Sequence, residues 1–211
     1  MLDLTKLLIF LGAMAWTVGV WGETNSLDDG IAAYQQGNGK TALAHLQPLA
    51  RQGDAEAQYY LGRLYYYDNT GVPQSYRTAA RWFERSARQG HAAAQYKIGG
   101  MYFSGRGVAQ SDRLTVKWWR LAAAQNHGET QNNLGALFAN GRGVPRNLVM
   151  AYAMQMLAQE NGAESAAENL HAKEAAMSAT ELEAAQALAG EMRQSGGVAR
   201  ILTQHLDNKV R

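Results

Sequence analysis

The feature that most limits what this chain can fold into is an internal repeat. Gln58-Tyr59-Tyr60-Leu61-Gly62 returns 37 residues later as Gln95-Tyr96-Lys97-Ile98-Gly99, and 36 residues after that as Gln131-Asn132-Asn133-Leu134-Gly135. The pairs Gly71-Val72, Gly107-Val108 and Gly143-Val144 keep step at 36, so the first copy holds one extra residue in its inner loop. The middle copy, from His91 to Gln125, matches the segments on both sides of it. Self-similarity at this period predicts stacked helical units, none of which buries its apolar face alone.

Composition narrows the reading further. A chain of 211 residues could form one medium domain or an open array, and the repeat selects the array. With 46% apolar residues, 18% charged residues and 3 prolines it reads as helical and globular. The net charge of +2 is too small to argue for nucleic acid, which calls for a dense basic face. The absence of Cys excludes disulfides, thiol catalysis and thiolate metal sites. Lys6 precedes an apolar run from Leu7 to Trp21, and Val20 and Gly22 stand where a signal peptidase accepts small residues. Residues 1–22 are therefore read as a cleaved secretory signal, the alternative being a retained anchor; a run of ~15 residues is short for a span of ~20. That places the mature chain in a bacterial periplasm or the outside medium, with no membrane attachment after cleavage.

Taken in order, residues 23–53 form a degenerate opening helix pair. Leu27, Ile31 and Tyr34 share one face of the first helix; Leu43, Leu46, Leu49 and Ala50 share one face of the second, which tolerates Pro48 and stops at Gly53. The first full copy, 54–90, puts Ala57, Leu61, Leu64 and Tyr65 on a stripe. Gly62, Gly99 and Gly135 lie beside such stripes as packing glycines, facing the bulk of Trp82-Phe83 and Trp118-Trp119. The second copy is 91–127. The third, 128–162, has Met154-Gln155 where the others have a Trp-aromatic pair, which marks a copy on the way to a cap. Capping helices follow at 163–195: Ala167, Leu170 and Ala175 are the apolar positions of one, and a Ser178/Glu181 capping box opens another with Leu182, Ala185, Leu188 and Ala189 buried. Gly196-Gly197 breaks the pattern and leaves 196–211 as a flexible tail.

Candidate chemistry is sparse. The loops Gly105-Arg106-Gly107 and Gly141-Arg142-Gly143 lack the phosphate-loop pattern and join two helices, so their glycines are turn residues. His91 and His127 are repeat-equivalent and stand beside a turn, which speaks for a structural role. His45, His171 and His205 have no partner at a metal-ligand spacing. Neither a nucleophile elbow nor a paired-carboxylate arrangement is present, and no cofactor or metal is expected.

The order Ala-x-Ala-Gln-Tyr-x-Leu-Gly-x-x-Tyr, a glycine loop, Gly-Val, Ala-x-x-Trp-Phe and a closing Gln-Gly resembles the Sel1-like repeat, a relative of the tetratricopeptide repeat. The Met-Ser-x-x-Glu-Leu segment at Met177 resembles the closing helices of bacterial members. The resemblance implies an all-α fold, a right-handed α-solenoid of antiparallel helix pairs with a C-terminal capping helix. It also implies a non-enzymatic adaptor for other proteins. A third reading, a hydrolase of cell-wall or β-lactam amides, lacks a Ser-x-x-Lys nucleophile in the mature chain.

Two surfaces are candidates. If the first helix of each pair lines an inner face, the positions that vary between copies face a groove: Tyr59, Tyr60, Arg63 and Tyr66, then Tyr96, Lys97 and Phe103, then Asn132 and Asn133. Tyr and Arg anchor interfaces, and a groove aromatic and basic at one end and amide-rich at the other suits a peptide or extended protein segment. The second surface is a basic ridge of Arg77, Arg81 and Arg85, extended by Arg113, Lys117 and Arg120, while the C-terminal cap carries Glu160, Glu164, Glu168, Glu174, Glu181 and Glu183. The ridge suits peptidoglycan or another anionic envelope polymer.

Overall fold

The computed structural model describes residues 26–207; the leader expected at 1–22 and residues 208–211 lie outside the described residues. Among the described residues the regular structure is entirely helical. The opening pair is α1 (Leu27–Gln35) and α2 (Gly39–Gln52). The three copies are α3 (Ala55–Tyr66) with α4 (Tyr76–Arg88), α5 (Ala92–Ser104) with α6 (Asp112–Ala123), and α7 (Gly128–Asn140) with α8 (Leu148–Glu160). The closing helices are α9 (Ala166–Glu174), α10 (Ala179–Met192) and α11 (Gly197–Asp207). From α1 to α9 each helix packs on the one after it, giving an α-solenoid.

The helices start where side chains can accept their free N–H groups, and the caps recur with the repeat. Asp54, His91 and His127 cap the first helix of each copy: Asp54 Oδ1 accepts from Ala57 N at 2.7 Å, His91 Nδ1 from Ala94 N at 3.1 Å and His127 Nδ1 from Thr130 N at 3.3 Å. Ser75, Ser111 and Asn147 do the same for the second helices. The repeat-equivalent histidines are therefore caps, and each acts through an unprotonated Nδ1. The loop glycines meet two demands at once. Gly143 has φ 69° and its Cα faces the start of α6, where an added Cβ would lie 2.9 Å from Asp112.

Within a copy, the two helices approach over a glycine. A Cβ on Gly62 would lie 2.5 Å from the Phe83 ring, and one on Gly99 would collide with the Trp119 indole. That indole is fixed by a bond from its Nε1 to Tyr96 O at 3.1 Å. Phe83 is fully buried and Trp119 is 4% exposed. In the third copy Gln155 occupies the equivalent place over Gly135; it is fully buried and its amide has no side-chain hydrogen bond.

Between copies the contact is polar and buried. Gln58, Gln95 and Gln131 donate to Ala50 O, Ala87 O and Ala123 O at 3.0, 3.1 and 3.1 Å, carbonyls in the last turn of the preceding helix. Their own Oε1 atoms accept from Gln89, Gln125 and Asn161 at 2.8, 2.9 and 2.9 Å, residues at the end of the following helix. One side-chain amide thus joins three helices at each copy.

The end of the chain departs from expectation. Of the flexible tail expected at 196–211, the described part is a packed helix: Gly196 lies in a turn, Gly197 opens α11, and α11 folds back with Val198, Ile201 and Leu202 at 3%, 3% and 0% exposure. It packs on α10 and α6, sharing a core with Leu157 and Met192. The physical reason is an i, i+3, i+4 apolar stripe that begins directly after the glycines. In α9 the buried residues are Ala166 and Leu170, while Ala167 and Ala175 are exposed. The Ser178/Glu181 capping box is formed as expected.

Two outcomes follow from this packing. Gly99→Ala should destabilise the protein by roughly 1–3 kcal/mol through overpacking against Trp119, although alanine is the better helix former, while neighbouring Gly100→Ala, whose Cβ meets nothing within 4 Å, should stabilise it by roughly 0.5–1 kcal/mol. Urea unfolding of the two variants measures both. Burial, more than any other influence, holds the His127 imidazole below its ordinary pKa of 6.5, so the unfolded chain binds the extra proton first and stability falls as pH drops through that window. His127→Asp, which restores the cap found at Asp54, should lose less Tm than the natural chain between pH 7.5 and pH 5.

Candidate partner-binding groove

The first helices α3, α5 and α7, with α1 beside them, build one face of the solenoid. On it two cations sit among tyrosines. The Arg63 guanidinium lies 4.7 Å from the Tyr34 ring centre, 5.5 Å from Tyr60 and 5.7 Å from Tyr59. Lys97 Nζ lies 5.6 Å from the Tyr67 ring, 5.7 Å from Tyr96 and 6.0 Å from Tyr66, and donates to Tyr67 Oη at 3.0 Å. Arg63 and Lys97 are not repeat-equivalent, yet each has three rings around it, contacts worth about 0.5–2 kcal/mol each. Burial works against the Lys97 charge, but the Tyr67 bond and the surrounding tyrosines outweigh it and hold its pKa above the ordinary lysine value. Burial also raises the Tyr59 phenol. Among the described residues neither cation forms a salt bridge with a carboxylate.

The same face opens into clefts. One is bordered by Tyr34, Arg63 and Thr70. A second lies between Tyr66, Tyr96, Lys97 and Arg106, and a third, of about 340 Å³, between Tyr96, Phe103, Asn133 and Arg142; these two share Tyr96, Gly100 and Trp119. Phe103 stacks on Trp119 with ring centres 5.6 Å apart, and the Arg142 guanidinium covers Phe103 at 3.8 Å. Arg142 is held by Asp112 at 2.8 Å and Arg106 by Tyr66 Oη at 3.0 Å. The loop arginines of one copy therefore reach back to the copy before it and form groove wall.

Most residues assigned to the groove from sequence are on this face. Tyr59, Tyr60, Arg63, Tyr66, Tyr96, Lys97, Phe103 and Asn133 are all half-buried. Tyr59 is stacked on His91 at 4.5 Å and Tyr96 on His127 at 5.0 Å, so these two rings also brace the caps. Asn132 is a correction. It is 4% exposed, donates to Ser165 Oγ at 2.7 Å and accepts from Asn169 at 3.0 Å, because α9 closes over the third copy at this point. Sequence reasoning missed Tyr34, Tyr67, Gly100, Trp119 and the loop arginines as wall. The 36-residue spacing of Arg106 and Arg142 was the signal for the last two.

The ridge lies on the second helices. Arg77, Arg81, Arg85, Arg113 and Lys117 are exposed and Arg120 is half-buried. Arg85 covers Trp82 at 4.7 Å and Lys117 covers Trp118 at 5.5 Å. Position for position, Arg77, Arg81 and Arg85 become Val149, Ala153 and Leu157 in the third copy, where α10 and α11 take over the solvent side. Three of the cap glutamates have intramolecular partners: Glu160 bonds Arg193, which lowers its pKa, Glu174 accepts from Tyr152 at 2.6 Å, and Glu181 closes the capping box. Among the described residues no group of three His, Asp or Glu side chains could hold a metal ion. Nor is any described helix long and apolar enough to cross a membrane.

Comparison with known proteins agrees with this architecture. The model of the Sel1 repeat matches residues 55–91, 92–127 and 128–159. A crystal structure of a Sel1 repeat protein from Oxalobacter formigenes is similar at 32% identity and a TM-score of 0.63, covering 67% of this chain and 58% of that one. The structure of c5321, a protective antigen of uropathogenic Escherichia coli with an SLR fold, aligns at 24% identity and a TM-score of 0.66 over 85% of this chain and 41% of its own. The chain thus spans about half the length of these relatives. No curated protein matches it. With three consecutive Sel1 repeats stacked as antiparallel helix pairs, the chain belongs to the Sel1-like repeat family.

Proposed function

We infer the function of this chain from its repeat, which generally mediates contacts between proteins on a scaffold fold. We propose that this chain is an exported, non-catalytic adaptor of the bacterial cell envelope that holds a segment of a partner protein across its first helices. The observation that carries the reading is the face where Arg63 and Lys97 stand among tyrosines beside open clefts, with no carboxylate partner among the described residues. Tyr and Arg in half-desolvated positions are the residues that dominate interface energies. Export rests on the apolar leader at residues 1–22. A second reading, binding of peptidoglycan or another anionic polymer, draws on the five exposed cations of the ridge.

The two surfaces face different ways, which makes them separable. A photocrosslinking amino acid placed at Tyr60 or at Tyr96 should capture the same protein in the cell, and Arg77→Glu/Arg81→Glu/Arg85→Glu should leave that capture intact. Recovery of no specific protein from either position would overturn the adaptor reading. If the triple reversal instead abolishes cosedimentation with peptidoglycan, the ridge is the functional surface. Turnover of a muropeptide or of nitrocefin by the pure protein would overturn the non-catalytic assignment.

A further inference from the structure

Gly99 and Gly100 are consecutive in the middle of α5, and only the first is explained by packing. Gly99 is where Trp119 crosses, whereas a Cβ on Gly100 would meet no atom within 4 Å. Glycine is among the costliest residues for a helix interior, and this one, in the middle of a first helix, makes room for nothing inside the protein. The equivalent positions in the flanking copies carry side chains, Arg63 and Ala136. The second copy alone leaves bare backbone there.

That bare backbone is where two clefts meet. Gly100 borders both the cleft with Lys97 and Arg106 and the cleft with Phe103 and Asn133, and Tyr96 and Trp119 are common to the two. The walls on either side of Gly100 are thus aromatic. The rim on one side is cationic: Lys97 and Arg106 donate to tyrosine hydroxyls, at 3.0 Å each, and lie near tyrosine rings, with no carboxylate among the described residues paired with them. Tyrosine oxygens fix the direction of these cations and leave their charge uncompensated.

From this juxtaposition we infer that Gly100 is the floor of an anchor pocket for one large apolar or aromatic side chain of an extended acidic partner segment, whose neighbouring Asp or Glu residues pair with Lys97 and Arg106. The inference rests on the groove reading given above and specifies its occupant. An apolar anchor inserted in a pocket, with charges beside it setting direction and register, is the usual division of labour in peptide recognition. A side chain at position 100 would fill the pocket from below without disturbing the helix pair.

The test uses the full chain and needs no known partner. Random peptides displayed on phage are selected on the natural protein after depletion on Gly100→Leu. Enriched sequences should share one Phe, Tyr, Trp, Leu or Met within a few positions of Asp or Glu. The best synthetic peptide, followed by fluorescence anisotropy, should bind Gly100→Leu at least about tenfold more weakly, with Gly100→Ala between the two. Both variants should keep or raise Tm, so weakened binding is not a folding defect. Lys97→Glu/Arg106→Glu should weaken the same peptide, and a peptide with its acids changed to Lys should not bind. The pocket is overturned if nothing is enriched over the Gly100→Leu background, if basic or wholly polar peptides are enriched, or if Gly100→Leu binds as well as the natural chain. Self-association of the natural chain that Gly100→Leu removes would identify a second copy as the occupant and overturn the acidic segment. Should crosslinking from Tyr60 and Tyr96 capture a partner whose binding ignores position 100, the pocket fails and the groove stands. Gly100-dependent peptides without any captured protein would sink the adaptor reading and leave the pocket.

Discussion

The buried amide carried by the first helix of each copy is the contact on which the stacking depends. Gln58, Gln95 and Gln131 lie at 4%, 3% and 0% exposure and use their side-chain nitrogen and oxygen in the same way. The nitrogen donates to a carbonyl that the end of the previous helix leaves open, and the oxygen accepts a hydrogen bond from the side-chain amide at the end of the next. A buried amide left unpaired would cost about 1–3 kcal/mol, so any slip of one copy against its neighbour is penalised in a way that apolar contacts alone would not enforce. Apolar burial supplies the bulk of the association, and the amides fix its register.

With register fixed, the two helix layers are free to differ. The second helices point their large residues inward, over Gly62 and Gly99, and their cations outward, except where α10 and α11 cover α8 and the outward positions turn apolar. The first helices are constrained only along the stripe that faces the core. Their other positions vary from copy to copy, and there the tyrosines gather around Arg63 and Lys97, cations with no carboxylate partner among the described residues. The positions that stacking does not use are therefore free to change, and Gly100 is the limiting case, a position where even the side chain has been given up.

The third copy shows how an array ends. Its first helix keeps the amide and the packing glycine, but the aromatic that crosses that glycine elsewhere is Gln155, and Asn132 has moved from groove to seam by bonding Ser165 and Asn169. The closing helices then wrap round the second-helix layer as far as α6, so the cap covers an edge as well as an end. Arg193 pairing with Glu160 ties the cap to α8 across the surface.

The period of 36 to 37 residues, the packing glycines with their aromatic partners, the capping box and the gathering of tyrosines on the first helices were all legible in the chain, because each depends on residue type and local spacing. The recurrence of Gln58, Gln95 and Gln131 was visible as well, but not its purpose: the partners lie about 30 residues further on and 8 residues back, and only the packed fold brings them together. The same holds for His91 and His127, whose cap role depends on backbone N–H groups that exist as acceptor-seeking donors only once the helix has formed. Asn132 and the C-terminal tail were misjudged for a related reason. Whether an amide faces solvent or a neighbour, and whether a short apolar stripe finds a surface to bury itself on, is decided by what the rest of the chain places opposite. Sequence alone determined the repeating unit and which residues it spares; tertiary structure decided which of the spared residues meet, since burial and partnership are properties of pairs of distant segments.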